Sequence, residues 1–494
     1  MAGIGFSLKR LFNKKGILNL CKAYGYSGIV TVGPMFLGVF LLLGVSFVAQ
    51  IGGMDKHDRD LLNCMLTYSL LASLLITAWF NMVVTRFVSD RIFEEQEEKV
   101  MPSFFGCVVL ELFLCLILYG GFLLFSGAGL VRGLLCLWFA MVMIVVWTEM
   151  IYMTALKDFQ AIVLSFAISL MIGFLLALVV VLTGRTTLES LLCCVIIGYG
   201  VLAVRYLKLM LDYFPRSEGS LFSFLRYFDR YPMLAVCGGM VRLGLFAHII
   251  IMYFGPLKVQ VEGLFYNAPE YEIPALIAFF SLLISTVSFV VSVEVNFYPK
   301  YANYYGLFSD KGAIGDIRLA GKEMLDMLQR ELFYLGCKQL FTTVLFVVLG
   351  PPVFKVLLPG MSSTAIAIYR FMCAGYGTYA IANSVMLIEL YFEDYIGSVI
   401  GSCLFTIISA GLSIWQILFG EPAYFGLGFF AGAIVFYFFS LLHLDWFATK
   451  LPYFLLSRQS LVPGGEKGLF TWIAGKLDQS FEQKKAIREY GKAS

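Results

Sequence analysis

The stretch Tyr231–Gly255, YPMLAVCGGMVRLGLFAHIIIMYFG, decides how the chain folds. It is almost wholly apolar and long enough to cross a bilayer, which takes about 20 residues. Yet it carries Arg242 and His248 in its interior. An ionisable side chain at bilayer depth costs roughly 2.5–3.5 kcal/mol on insertion scales, so it turns toward protein or water. Two readings follow for each residue: a buried partner with a structural role only, or a group on a wet pathway. The stretch also stands at a division of the chain. Six candidate spans precede the polar segment Asp212–Arg230, and six follow it.

Working outward, the composition agrees with a membrane protein. Of 494 residues 60% are hydrophobic and 14% charged, against roughly a quarter charged in an average soluble domain. Spans are expected near 27–50, 61–84, 102–125, 133–156, 160–183 and 189–209. In the second half they fall near 233–255, 273–298, 337–357, 361–388, 397–418 and 424–447. The fold class expected is an all-α polytopic membrane protein of about twelve transmembrane helices in two six-helix lobes. The domain boundaries are an amphipathic segment at 1–26, a lobe at 27–211, a connector at 212–232, a second lobe at 233–447 and a basic tail at 448–494.

Charge orients the spans. One face collects 28 of the 36 Lys and Arg residues and the other six, with Arg242 and Arg370 left inside spans. Positive residues accumulate on the cytoplasmic side, so both termini are expected there. Residues 1–26 place Ile4, Leu8, Leu11, Phe12 and Leu18 near a helical period beside five basic residues, the pattern of a surface helix. A signal peptide is the competing outline, but no small-residue cleavage site follows the late apolar core. In the tail, Leu469, Phe470, Ile473 and Leu477 recur at helical spacing beside Lys476, Lys484, Lys485 and Arg488. That pattern suits a membrane-surface helix or a docking site for a cytosolic partner.

Enzyme chemistry finds little material here. The three histidines, His57, His248 and His443, lie in separate segments, and no HExxH, CxxC or GxxxxGK[ST] pattern occurs. Most of the eleven cysteines sit in apolar runs and read as small buried hydrophobes. The Asp58–Arg59–Asp60 triplet imitates a glycosyltransferase metal motif but falls in a short loop with no nucleotide-binding fold around it. Net charge is +3, too small to suggest a nucleic-acid binder. No metal and no cofactor are expected.

What remains is a set of intramembrane polar residues. Glu111, Arg242 and Arg370 are the deepest by distance from a span end; Glu149, His248 and Glu294 complete the candidates for a substrate pathway. The two arginines are expected to face a wet cavity, pairing with Glu111, Glu149 or Glu294 or hydrogen-bonding a passing glycan. Glu389, His443 and Asp445 lie near span ends, where snorkelling makes a charge inexpensive. Gly33–Pro34 is the expected hinge, because Pro removes a backbone donor and bends a helix.

Several stretches carry a family likeness. The opening MAGIGFSLKRLF, the run Ala23–Tyr24–Gly25–Tyr26 and Gly33–Pro34 resemble the start of the Pel exopolysaccharide transporter PelG family. So do VVTRFVSDRIFEE at 83–95, FLRYFDRYPML at 224–234 and NFYPKYANYYG at 296–306. The resemblance implies an inner-membrane or plasma-membrane protein of the flippase type that passes a GalNAc-rich polysaccharide outward. It also implies a PelF-like cytosolic glycosyltransferase as source of the polymer, and PelD-like and PelE-like membrane partners. No catalytic residues come with it, and the polar residues of the second-half spans differ from those of a generic proton or sodium antiporter. The alternatives are a lipid-linked oligosaccharide flippase, a small-cation antiporter, an intramembrane transferase, or a non-transporting scaffold for a polysaccharide synthase.

Overall fold

The computed structural model describes residues 44–153, 159–309, 312–357, 360–457 and 468–479. The amphipathic segment 1–26, most of the expected span 27–50, and the hinge pair Gly33 and Pro34 lie outside them. Among the described residues, eleven helices are long and apolar enough to cross a membrane. The protein is an all-α polytopic membrane protein.

After a helical stretch at 44–51, α1 spans Lys56–Phe93, α2 Val100–Phe125, α3 Leu130–Met153, α4 Phe159–Leu182 and α5 Leu188–Tyr213. A short helix α6, Arg226–Arg230, precedes α7, Pro232–Met252. The strands β1, Val259–Glu262, and β2, Phe265–Asn267, form a hairpin. Then come α8 (Pro269–Phe279), α9 (Leu282–Val291), α10 (Tyr298–Ser309), α11 (Ile314–Leu357), α12 (Ser363–Tyr391), α13 (Tyr395–Phe419), α14 (Leu427–Thr449) and α15 (Leu451–Ser457). A last helix, α16, runs over 469–479.

Three helices depart from the expected spans. At 38 and 44 residues, α1 and α11 measure about 57 and 66 Å at 1.5 Å per residue, far beyond a hydrocarbon core of about 30 Å. Hydropathy marked only their apolar parts, near 61–84 and 337–357; the charged turns from Asp316 to Glu331 continue the same helix. The span expected at 273–298 is broken instead. It stops at Phe279, resumes at Leu282, and passes through a π-helical segment at Ser292–Phe297 before α10.

Start signals are local. Thr187 and Ser190 form a reciprocal capping box at the head of α5, and Ser362 caps α12 by accepting from the Ala365 amide. The hairpin needs Gly263, which adopts φ +56° where a Cβ would meet the Ser126 carbonyl oxygen. Leu264 N–H donates to that carbonyl at 2.8 Å, and Phe265 is fully buried against Tyr68 and Phe122.

The chain divides into two compact units. The N-terminal unit holds the described residues of Leu37–Arg242 and Arg458–Ser494, with the hairpin tip Val261–Phe265. Its hub is α3, which packs on α1, α2 and α5. The C-terminal unit holds Leu243–Gln260 and Tyr266–Ser457. Its hub is α12, packed on α8, α11, α13 and α14.

Acyl chains are as apolar as leucine, so greasy side chains gain little by turning inward; close packing and hydrogen bonds hold such helices together. Leu124, Phe125, Leu182 and Leu418 accordingly stand outward, while α13 buries Ser398, Ser402, Thr406, Ser409, Ser413 and Gln416. Ser409 and Ser413 meet α14 at Gly432 and Gly428, where an added Cβ would come within 3 Å of the facing helix. Where α10 to α12 and α14 end, Phe297, Tyr304, Met324, Leu328, Ile388 and Phe447 build one apolar cluster.

Candidate functional site

Hub helix α3 is sewn to its neighbours by paired side chains. Trp147 Nε1 donates to Ser73 Oγ at 3.1 Å, tying α3 to α1, and Ser69 Oγ lies 2.9 Å from Tyr119 Oη, tying α1 to α2. Between α2 and α3, Ser103 Oγ is 3.0 Å from Tyr152 Oη, and Thr148 Oγ1 donates to Glu111 Oε2 at 2.5 Å. These contacts fix the faces of the three helices. They also draw two carboxyls inside.

Glu111 is fully buried, held by Thr148 and by Cys107 one turn earlier; its Oε1 has no partner among the described residues. Glu149 is 1% exposed, and neither of its oxygens has a hydrogen-bond partner among the described residues. A buried polar group left unmatched costs about 1–3 kcal/mol, so Glu149 is the most expensive of the candidates to keep. It follows Thr148 directly in sequence, yet the two side chains differ entirely in how they are met.

In the C-terminal unit, His248 is fully buried and fully matched. Its Nδ1 lies 2.8 Å from Tyr271 Oη and its Nε2 3.5 Å from Tyr376 Oη, while Phe429 packs on the ring with centroids 4.4 Å apart. Four elements, α7, α8, α12 and α14, converge on this imidazole. The structural role is therefore the one that the contacts support.

Of the expected partners of the two arginines, the Glu294 side chain lies outside the described residues. Arg242 is half-buried and Arg370 exposed, and neither forms an ion pair among the described residues. Glu294 lies in the π-helical segment Ser292–Phe297. Snorkelling fits Asp445, which is exposed, but not Glu389, which is fully buried.

Glu389 belongs to a group that the hydropathy pattern hid. Ser398 Oγ donates to its Oε2 at 3.4 Å, and beside it Asp394 Oδ2 lies 2.6 Å from His443 Nε2. Asp394 Oδ1 also accepts from the Gly397 amide and so caps α13. An aspartate just ahead of an apolar run was the available signal for that cap. Nothing in the sequence signalled that His443, 49 positions on, would meet it. Among the described residues no group of three or more His, Cys, Asp or Glu side chains is placed to hold a metal ion.

Comparison with known proteins places these features. A family model described as "PelG: Putative exopolysaccharide Exporter (EPS-E)" matches residues 1–455. No curated protein matches the chain in sequence. Solved structures give the fold. A MATE protein in a straight conformation superposes with a TM-score of 0.56 at 11% identity, covering 87% of this chain and 97% of its own. The same comparison with MATE in a bent conformation gives 0.54 at 11% identity, over 91% and 99% of the two chains. An inward-facing multidrug resistance MATE family transporter of the MOP superfamily gives 0.51 at 12% identity, over 86% and 99%. At such identities the likeness shows a shared fold. The family is one of exporters, not of enzymes.

Proposed function

The chain belongs to the PelG family of exopolysaccharide exporters, and from that premise we propose that it carries a Pel-type, GalNAc-rich polysaccharide out of the cytoplasm across the inner (plasma) membrane. Both termini lie on the cytoplasmic side in this reading, supported by the 28 of 36 Lys and Arg residues on one face. The observation that carries the proposal is the family match over 1–455, joined to a MATE-type fold.

A PelF-like cytosolic glycosyltransferase supplies the polymer, and PelD-like and PelE-like membrane proteins assemble with the exporter. Arg242 and Arg370 are the residues proposed to meet the glycan. Neither guanidinium is consumed by an ion pair among the described residues, and a guanidinium presents five donors suited to hydroxyl and carbonyl oxygens. Glu111, Glu149 and Glu294 are the further candidates along the pathway, with Gly33 and Pro34 as the hinge. A charge inside a span is retained only against protein or water, which is why these positions outrank the many exposed aromatics.

The test is secretion of GalNAc-containing polymer by cells that carry the deleted gene, the wild type, or Arg242→Ala and Arg370→Ala singly and together. The proposal expects no polymer from the deletion and at least tenfold less from the double variant at equal membrane abundance. Normal secretion from both would remove the two arginines from the pathway, and normal secretion from the deletion would overturn the function itself. Loss of export from a double variant that still binds its synthase would exclude a mere scaffold.

A multidrug antiporter is the second reading, favoured by the MATE-type fold. Unchanged sensitivity of the deletion strain to organic cations such as ethidium would set it aside.

A further inference from the structure

Helix α16 does not stand free. The amides of Phe470 and Thr471, in its first turn, donate to Asp229 at 3.2 and 2.6 Å, and the Thr471 hydroxyl donates to the same carboxylate at 2.8 Å. Asp229 is thus an N-cap supplied by a segment 242 positions away. The favour is returned at the other end. Asp478 accepts from the Phe222 amide and the Ser220 hydroxyl, ahead of the helical turn Ser223–Leu225. Phe470 packs on Phe228 with centroids 5.3 Å apart, and Ala474 is fully buried. Gly468 leaves room for the carboxylate, since a Cβ there would lie 2.2 Å from Asp229 Cγ.

Burial acts to raise the Asp229 pKa, but the Thr471 amide and hydroxyl and the Phe470 amide outweigh it and hold the carboxyl below its usual range. The clamp is therefore ionic in character and persists across neutral pH.

The clamp settles where α16 lies. Asp229 is three residues from Pro232, the first residue of α7, so it stands no more than about 11 Å along the chain from the start of that helix. The helix bonded to it is thereby tethered to the connector that leads directly into α7, a helix long and apolar enough to cross a membrane. With Phe470, Ala474 and Asp478 turned to the connector, the opposite stripe presents Leu469 at 65% and Trp472 at 57% exposure, with Ile473 half-buried beside them. Lys476 is on that stripe, its Nζ 4.0 Å from the Trp472 ring centroid. Tryptophan next to lysine over an apolar stripe is the composition of helices lying in the headgroup region. The sequence continues with Lys484, Lys485 and Arg488, so the local charge is complementary to anionic headgroups.

We propose that α16 is an interfacial anchor that seats Leu469, Trp472 and Ile473 in the bilayer surface and sets Lys476 against anionic lipid phosphates, fixing the 220–230 connector to the membrane. The anchor is independent of which cargo the protein carries. Its partner is the lipid surface.

The full-length protein in nanodiscs tests this. Trp472→Phe isolates the Trp472 emission from that of the other five tryptophans, and lipids brominated near the top of the acyl chain act as the quencher. The proposal expects a Trp472-dependent emission that is quenched, more strongly with phosphatidylglycerol present than in pure phosphatidylcholine. Lys476→Ala should weaken that seating about fivefold, the worth of one basic residue at an anionic surface. Gly468→Ala, which disturbs the clamp without touching the stripe, should reduce the quenching in both lipids. Trp472 emission that is unquenched, or quenched equally with and without anionic lipid, overturns the proposal. So does burial of Trp472 under a soluble protein that protects it from brominated lipid.

Discussion

The hub helices α3 and α12 are each packed against several neighbours, and one buried polar group in each unit is met in the opposite way from the other. On α12, Tyr376 reaches His248, which Tyr271 completes from a third helix. On α3, Glu149 is sealed in with both oxygens unmatched among the described residues. A histidine met by two hydroxyls is tied into the packing; a carboxyl with no hydrogen-bond partner among the described residues carries a cost of about 1–3 kcal/mol.

The largest effect should come from breaking the satisfied side. His248→Ala removes a ring packed on Phe429 and strands two tyrosine hydroxyls, so a loss of about 3–5 kcal/mol is expected in the thermal unfolding of the purified protein. A loss below about 1 kcal/mol would mean that α12 is not held in this way.

Glu149→Leu tests the other side with the opposite sign. Removing unmatched oxygens should stabilise the protein by about 1–3 kcal/mol while export falls. A destabilised variant would show that the carboxyl has a partner after all.

Asp229 sharpens the comparison, being a carboxylate with every donor that Glu149 lacks. Asp229→Ala should cost about 1 kcal/mol, read as faster hydrogen exchange over 469–479. Because its folded pKa lies below the usual range, the contribution is complete above pH ~4 and drains away as pH falls through the folded value. Protection of α16, corrected for intrinsic exchange rates, should therefore be level from pH 5 to 8.

The smallest effect on stability belongs to Arg370→Ala, within about 0.5 kcal/mol, since the side chain is exposed and makes no ion pair among the described residues. A larger shift would reveal a structural partner and weaken its place on the pathway.

Helix existence was plain in the sequence because a bilayer demands runs of apolar residues that occur nowhere else. Helix length was not, because charged turns such as Asp316–Glu331 continue a helix without adding hydropathy. Of the candidate residues, the placement of Glu111, Glu149 and His248 within apolar spans was legible in the sequence. Their condition was not, since Thr148, Tyr271 and Tyr376 meet or miss them only through helix rotation and packing. Glu389 looked like a snorkelling end residue because span-end position says nothing about the neighbour that covers it.

By itself the order of residues determined a many-pass helical protein and the asymmetry of its charge, both consequences of what hydrocarbon excludes. Only the tertiary structure decided which buried groups are matched, that Asp394 meets His443, and that Asp229 caps a helix 242 positions away. Hydrophobicity is a property of each side chain alone, whereas a hydrogen bond belongs to two, and the second partner is found only when the chain has folded.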